Sequence, residues 1–357
     1  MGSKKLKAIF ESLNQRPIAF LIKGSPDPDA IASSLALLSF YQTLGGSGQI
    51  YREDNISHSS NKAMVNILDI KIQEIKFKDL DIEHYVLVDH SNPQIDGLDI
   101  TKCVLHIDHH KEHKEHKEDT TKDESKISKT GITQIIEYDA GACSSIITRL
   151  LEEEDFFTSG DASISQVCAA LMYGIKTDTD NYSAARPKDF DALKILSQHA
   201  DKESLYKITR SRISTQTVDV LKRALSTEKT EQNWLYADVG LLQSTYRDSI
   251  ASVADELLRR TGIDHVLVYA IIERSGTATV EGSVRSIDAS FDMEGFVKNF
   301  SDNSGGRKFK GGFQIPLGFW SSCPSQEMLE EFVKNTLENK LKSILGTNTK
   351  KVKKKEE

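Results

Sequence analysis

The sequence predicts two α/β domains: an N-terminal one with an open, mostly parallel sheet flanked by helices, and a smaller C-terminal one. Three observations lead there. The chain has 357 residues, about twice the usual length of a single domain. Its first half carries short apolar runs that are continuous rather than alternating, the pattern of strands buried on both faces. Segments with apolar residues at helical spacing separate these runs, which is the βαβ alternation of a parallel sheet.

In chain order, the first strand is expected over residues 18–23 (IAFLIK), ending at a Gly-Ser-Pro break, with a helix over 30–44. Residues 85–88 (YVLV) and 103–107 (CVLHI) are the next strands, and 142–151, 164–175 and 190–199 read as helices. Residues 111–130 hold six acidic residues, six lysines and almost nothing apolar. Such a segment cannot offset its ordering entropy, so a mobile insertion is expected there. A mixed-charge helical connector over 203–229 would join a first domain (1–202) to a second (230–346). In the second, WLYADVGLL, HVLVYAII and TATVEGSVR read as strands, before an amphipathic helix over about 325–345. The basic tail, 347–357, is expected to be disordered.

Hydrophobic residues make up 38% and charged residues 28% of the chain, enough apolar material for cores. No run approaches the roughly 20 apolar residues of a membrane span, so no membrane partner is expected. The four cysteines, Cys103, Cys143, Cys168 and Cys323, never form CxxC. A disulfide scaffold or structural zinc is therefore disfavoured, and the cytoplasm is the expected location. The basic start MGSKKLKAIF lacks a secretory apolar core, and Leu6 stands where myristoylation needs Ser or Thr. A net charge of −7 argues against a broad surface for long duplex DNA but leaves room for a local basic pocket.

The chemistry lies in where the carboxylates and imidazoles fall. Asp27 and Asp29 follow the first strand, Asp89 closes the second, and Asp108, His109 and His110 close the third. Asp178 follows a helix-like stretch. Ligands of open α/β sheets bind outside the carboxyl ends of the strands, so four segments deliver these groups to one edge. A single Asp there is more simply a helix cap. Four converging segments would repel each other unless a cation sat among them. Mixed Asp and His ligation suits Mn²⁺ or a similar divalent ion, and a pair of such ions is the usual arrangement for phosphate-ester hydrolysis. His113 and His116 lie in a solvated Lys/Glu repeat and read as surface residues. His90, Asp180 and Tyr182 flank these motifs without a clear ligand role.

PDPDA (26–30), Asp89, the Asp108-His109-His110 triplet and GIKTDT (174–179) resemble, in order, the four motifs of DHH-family phosphoesterases. GACSSI (141–146) is similar to a further helix motif of that family. GSVRS (282–286) and SGGRKFKGG (304–312) resemble the DHH-associated C-terminal substrate-binding domain. The resemblance implies metal ligands at Asp27, Asp29, Asp89, His109 and Asp178, with Asp89 bridging. It implies that His110 faces the scissile phosphate as donor or general acid, and that Asp108 orients an imidazole. It implies that Arg285, Ser286 and Arg307 hold phosphate beside a glycine-rich loop containing Gly305, Gly306, Gly311 and Gly312. Two positions depart from the family. Lys23 stands where a first-site histidine is usual, and Arg307 stands where many members carry histidine. Lys23 cannot ligate while protonated, but it could supply positive charge to substrate.

The expected function is hydrolysis of phosphate esters in short single-stranded oligonucleotides or small nucleotides by metal-activated water. One or two Mn²⁺ ions are implied, with Mg²⁺ or Co²⁺ as substitutes. The alternatives are a phosphoanhydride hydrolase of exopolyphosphatase or pyrophosphatase type, and a nucleotide-binding protein weakened by Lys23. A third is a partner-binding protein using the charged insertion and tail. Monomer and homodimer both remain open.

Overall fold

The computed structural model describes residues 3–56, 59–110, 124–127, 132–158, 162–210, 214–274, 276–307 and 309–353. The chain divides into two units, residues 1–212 and 213–357. The first contains α1 (Ser3–Ser12), β1 (Ile18–Ile22), α2 (Pro28–Thr43), β2 (Gly48–Arg52), α3 (Ser59–Ile67) and β3 (Ile72–Glu74). It continues with β4 (Tyr85–Val88), β5 (Cys103–Asp108), β6 (Glu124–Ile127), β7 (Thr133–Ile136), α4 (Cys143–Glu152), α5 (Ala162–Asp178), α6 (Pro187–Leu196) and α7 (Lys202–Thr209). Its sheet runs β3-β2-β1-β4-β5-β7-β6. All neighbours are parallel except the edge pair β6–β7.

The continuous apolar runs have the cause the sequence suggests. In β1, Ile18, Phe20 and Ile22 enter one core, while Ala19 and Leu21 enter a second on the opposite face. A strand covered on both faces cannot alternate with polar residues. Asp178 ends α5 rather than following it. Glu124–Ile127, within the expected mobile insertion, pairs antiparallel with β7. The expectations for 111–123 and 128–130, including His113 and His116, lie outside the described residues.

The second unit contains α8 (Thr215–Thr227), β8 (Lys229–Glu231), β9 (Trp234–Gln243), α9 (Arg247–Leu257) and β10 (His265–Arg274). It continues with β11 (Thr277–Ser286), α10 (Met293–Lys298), β12 (Ser304–Arg307), β13 (Lys310–Pro316) and α11 (Gln326–Lys353). The strand order is β12-β13-β11-β10-β9-β8, with only β9–β10 parallel. The expected connector is divided. Ile208 of α7 is buried in the core of the first unit, and Val220 and Ala224 of α8 are buried in the second. Helix α11 runs on to Lys353, into the tail expected to be disordered. Lysine is a good helix former, and its charge suits a helix C-terminus.

The expected glycine-rich loop is a hairpin. Gly305 pairs with Gly312 and Gly306 with Gly311 across β12 and β13. A Cβ on Gly306 would stand 3.0 Å from the backbone nitrogen of Glu294, and one on Gly311 would stand 2.7 Å from Sδ of Met293. These two glycines therefore let α10 lie on the hairpin, a packing role. Around Gly305 a Cβ would meet nothing within 4 Å. Gly306→Ala is expected to cost the second unit about 1–3 kcal/mol through overpacking against rigid backbone. Gly305→Ala should stay within about 0.5 kcal/mol of the parent. Urea unfolding of the two variants checks this difference.

Candidate metal centre

β1 lies between β2 and β4, so the strand order reverses there and a crevice opens outside the carboxyl ends. Asp27 caps α2, its Oδ1 accepting from Ala30 N at 2.9 Å, with Pro28 next in line. Asp29, in the first turn of α2, is fully buried. Its Oδ2 accepts from Cys143 N at 2.6 Å and its Oδ1 from Ser144 N at 2.8 Å, so the positive N-terminus of α4 points at it. Asp189 holds that helix end in place. Its carboxylate accepts from Gly141 N at 2.9 and 3.0 Å, Ser145 Oγ at 2.6 Å and Arg186 N at 2.7 Å. A side chain on Gly141 would collide with it, an ideal Cβ falling 2.4 Å from Asp189 Oδ2.

Asp89 follows β4 in the left-handed region, φ +56°, with its N–H donated to Ile107 O at 2.9 Å. His109 Nε2 lies 3.3 Å from Asp89 Oδ1 and 3.0 Å from Asp178 Oδ2. His110 Nδ1 donates to Asp108 Oδ1 at 2.8 Å and lies 3.7 Å from Asp89 Oδ1. Two triads result, Asp89-His109-His110 and Asp29-His109-Asp178, each with donor atoms within 4.8 Å of one another. His109 is the member common to both, whereas the family resemblance makes Asp89 the bridge. Asp27 stands outside the triads, although its charge still acts on Asp29 and Asp89.

The electrostatics are those of a site short of positive charge. Burial, then the charge of Asp178, pushes the Asp29 carboxyl up to about 7. Burial, then Asp27 and Asp29, pushes Asp89 well above the carboxylate range. Burial opposes a charge on His109, but Asp178 and Asp89 outweigh it and raise its pKa well above the ordinary imidazole value. Burial likewise opposes ionisation of Asp108, but the hydrogen bond from His110 and both imidazoles hold its pKa low. Asp89 Oδ1 and His109 Nε2 are buried, and neither makes a contact with hydrogen-bond geometry. Such orphaned atoms beside strained carboxylates are what a cation satisfies. Neighbouring donors at about 2.1 Å from an octahedral ion stand about 3 Å apart, close to the spacing seen here. The oxygen and imidazole set, without thiolate, fits a hard divalent metal.

Other expected site residues sit differently. Lys23 belongs to neither triad, its Nζ donating to Gln94 O at 2.9 Å. Arg285 is buried and already engaged, with Nε 2.5 Å from Asp255 Oδ1 and Nη1 donating to Ser283 Oγ and Val284 O at 2.8 and 2.9 Å. A bidentate phosphate grip would require Asp255 to give way. Ser286 Oγ accepts from Asp288 N at 3.0 Å, and Arg307 ends β12 opposite Lys310. Tyr182 is exposed, in a run of left-handed residues with Asp180 and Asn181. Sequence reading missed the backbone donors Cys143 and Ser144 and the brace Asp189. The Gly-Ala-Cys-Ser-Ser start of α4 was their only local signal.

The DHH family, N-terminal domain, matches residues 18–175. The uncharacterized protein MJ1633 of Methanocaldococcus jannaschii is 28% identical over 341 residues, covering 94% of this chain. This chain spans 66% of that protein's length. The uncharacterized protein MJ0988 of the same organism is 24% identical over 334 residues, covering 86% of this chain and 90% of its own. Among solved structures, an exopolyphosphatase-related protein from Bacteroides fragilis is similar in fold, with TM-score 0.61 and 16% identity. That alignment covers 93% of this chain and 96% of the other. No described helix is long and apolar enough to cross a membrane. Residues 18–175 thus match the N-terminal domain of the DHH family, and the chain shares the fold of the exopolyphosphatase-related protein.

Proposed function

We propose that this chain is a divalent-metal-dependent phosphoesterase, Mn²⁺ being the preferred ion, that hydrolyses phosphate esters of short single-stranded oligonucleotides or small nucleotides in the cytoplasm. The observation that carries the reading is His109, buried between Asp89 and Asp178 and shared by two triads. A cation held by Asp29, Asp89, His109 and Asp178 would activate water and polarise a phosphoryl oxygen. The α4 N-terminus keeps Asp29 oriented as a ligand, and Asp108 fixes the tautomer of His110 so that Nε2 serves the leaving oxygen. Arg285, Ser286, Arg307 and Gly305 of the second unit are proposed substrate contacts, whereas Gly306, Gly311 and Gly312 act through the hairpin. The net charge of −7 supports a small anionic substrate over a long duplex, since few phosphates can be neutralised.

The test offers the Mn²⁺-loaded protein a dinucleotide, a five-nucleotide RNA, 3′-phosphoadenosine 5′-phosphate, pyrophosphate and polyphosphate. Mononucleotide release supports the reading. Turnover of the last two alone would transfer it to phosphoanhydrides. Silence with nucleotide binding intact would leave a binding protein. Lys23, standing where the resemblance places a first-site histidine, favours a single strongly held ion. Calorimetric titration is therefore expected to find about one Mn²⁺ per chain, and about two in Lys23→His, where an imidazole replaces the repelling ammonium.

A further inference from the structure

We infer that His106, a residue of neither triad, positions Asp89 for metal binding by clamping the backbone carbonyl of His90. The inference rests on the metal-dependent reading above. His106 lies within β5, in the apolar run CVLHI, and is 0% exposed. A fully buried imidazole has to pair both ring nitrogens. Nε2 lies 2.6 Å from His90 O, and because a carbonyl can only accept, Nε2 carries the proton. Nδ1 is then the acceptor, 3.2 Å from the side-chain nitrogen of Gln134, its cross-strand neighbour in β7. Partners on both sides thus select one neutral tautomer. Burial also lowers the pKa of His106, in keeping with that form.

The consequence falls on Asp89. Its φ of +56° is a conformation that residues other than glycine adopt only when held there. Two successive residues of β5 hold it. Ile107 O accepts from Asp89 N at 2.9 Å on one side, and His106 Nε2 donates to His90 O on the other. The two bonds anchor the peptides on either side of the Asp89–His90 link, and so bracket the backbone that aims the Asp89 carboxylate at His109. Without the imidazole donor, His90 O loses this partner, the Asp89–His90 link is held on one side only, and the left-handed turn can relax and take Asp89 Oδ1 out of the triad. A leucine would suit the packing of β5 better, so the polar residue needs a polar task.

The test measures Mn²⁺ affinity by electron paramagnetic resonance of the free ion, with no substrate present. Wild type, His106→Leu, His106→Gln and Gln134→Leu are compared, with thermal melts to verify folding. His106→Leu is expected to weaken binding about 10–100-fold, the usual effect of removing a group that orients a ligand. His106→Gln places an amide N–H near the position of Nε2 and should recover most of the affinity. Gln134→Leu should fall between them, since it frees the tautomer without removing the ring. Long-range ¹H–¹⁵N spectra should show His106 protonated at Nε2. Wild type that fails to bind Mn²⁺ removes the metal reading and the inference with it. Binding in wild type with equal affinity in His106→Leu overturns the inference alone. Equal losses in the Leu and Gln variants would assign His106 to packing, which also overturns it. Should His106→Leu not fold, unchanged affinity in Gln134→Leu decides against it.

Discussion

Asp89→Asn is expected to lower kcat/KM on the order of 10³-fold or more, as for other groups that act as one catalytic unit, while the fold persists. Asparagine tolerates the left-handed backbone at this position as aspartate does, so the substitution removes the charge and keeps the turn. Asp89→Ala removes both, and the left-handed alanine costs about a further 1–2 kcal/mol. Mn²⁺ titration and thermal melts on the two variants separate the effects. Both should lose metal, but only the alanine variant should melt earlier. The carboxylate is raised by burial and by Asp27 and Asp29, so it sits where a cation would gain most from its charge. Retention of metal and turnover in Asp89→Asn would sink the proposed centre.

His110→Gln is expected to reduce kcat by about 10²–10⁴-fold, the usual range for a lost general acid, with Mn²⁺ affinity within about threefold of the parent. The reason lies in its Nδ1, which is committed to Asp108 Oδ1 at 2.8 Å. That leaves Nε2 for the departing oxygen. Asp108→Asn should lose less, about 10–100-fold, because the ring remains but its tautomer is no longer enforced. Substrates with an acidic leaving group, such as a p-nitrophenyl nucleotide, need no protonation and should narrow both deficits. A His110→Gln variant that loses Mn²⁺ in proportion to activity would make His110 a ligand instead.

Much of the first unit was legible because its cause is local. A strand covered on both faces has to be apolar throughout, so β1, β4 and β5 stand out from their own residues. The candidate metal donors sit at their carboxyl ends because the sheet opens there. Strands β2, β3 and β7 escaped notice because they are only partly buried and so carry no continuous apolar run. Their pairing comes from neighbours distant in sequence. The glycines at 305–312 carried no sign of strand, since glycine weakens one. Only α10, which needs their lack of side chains, makes a hairpin the better arrangement.

By itself, the sequence determined which residues reach the sheet edge, because each lies at or next to the end of an element that its own neighbours specify. It also determined the hard character of the candidate donor atoms, because residue type alone decides that. Only the tertiary structure decided how those residues meet. Asp29 is met by backbone donors 114 and 115 residues away, and Asp178 approaches His109 from a different helix. Lys23 is drawn towards Gln94, 71 residues on. Such contacts depend on packing the whole sheet against its helices, and no local pattern encodes a distance that forms only when that core closes.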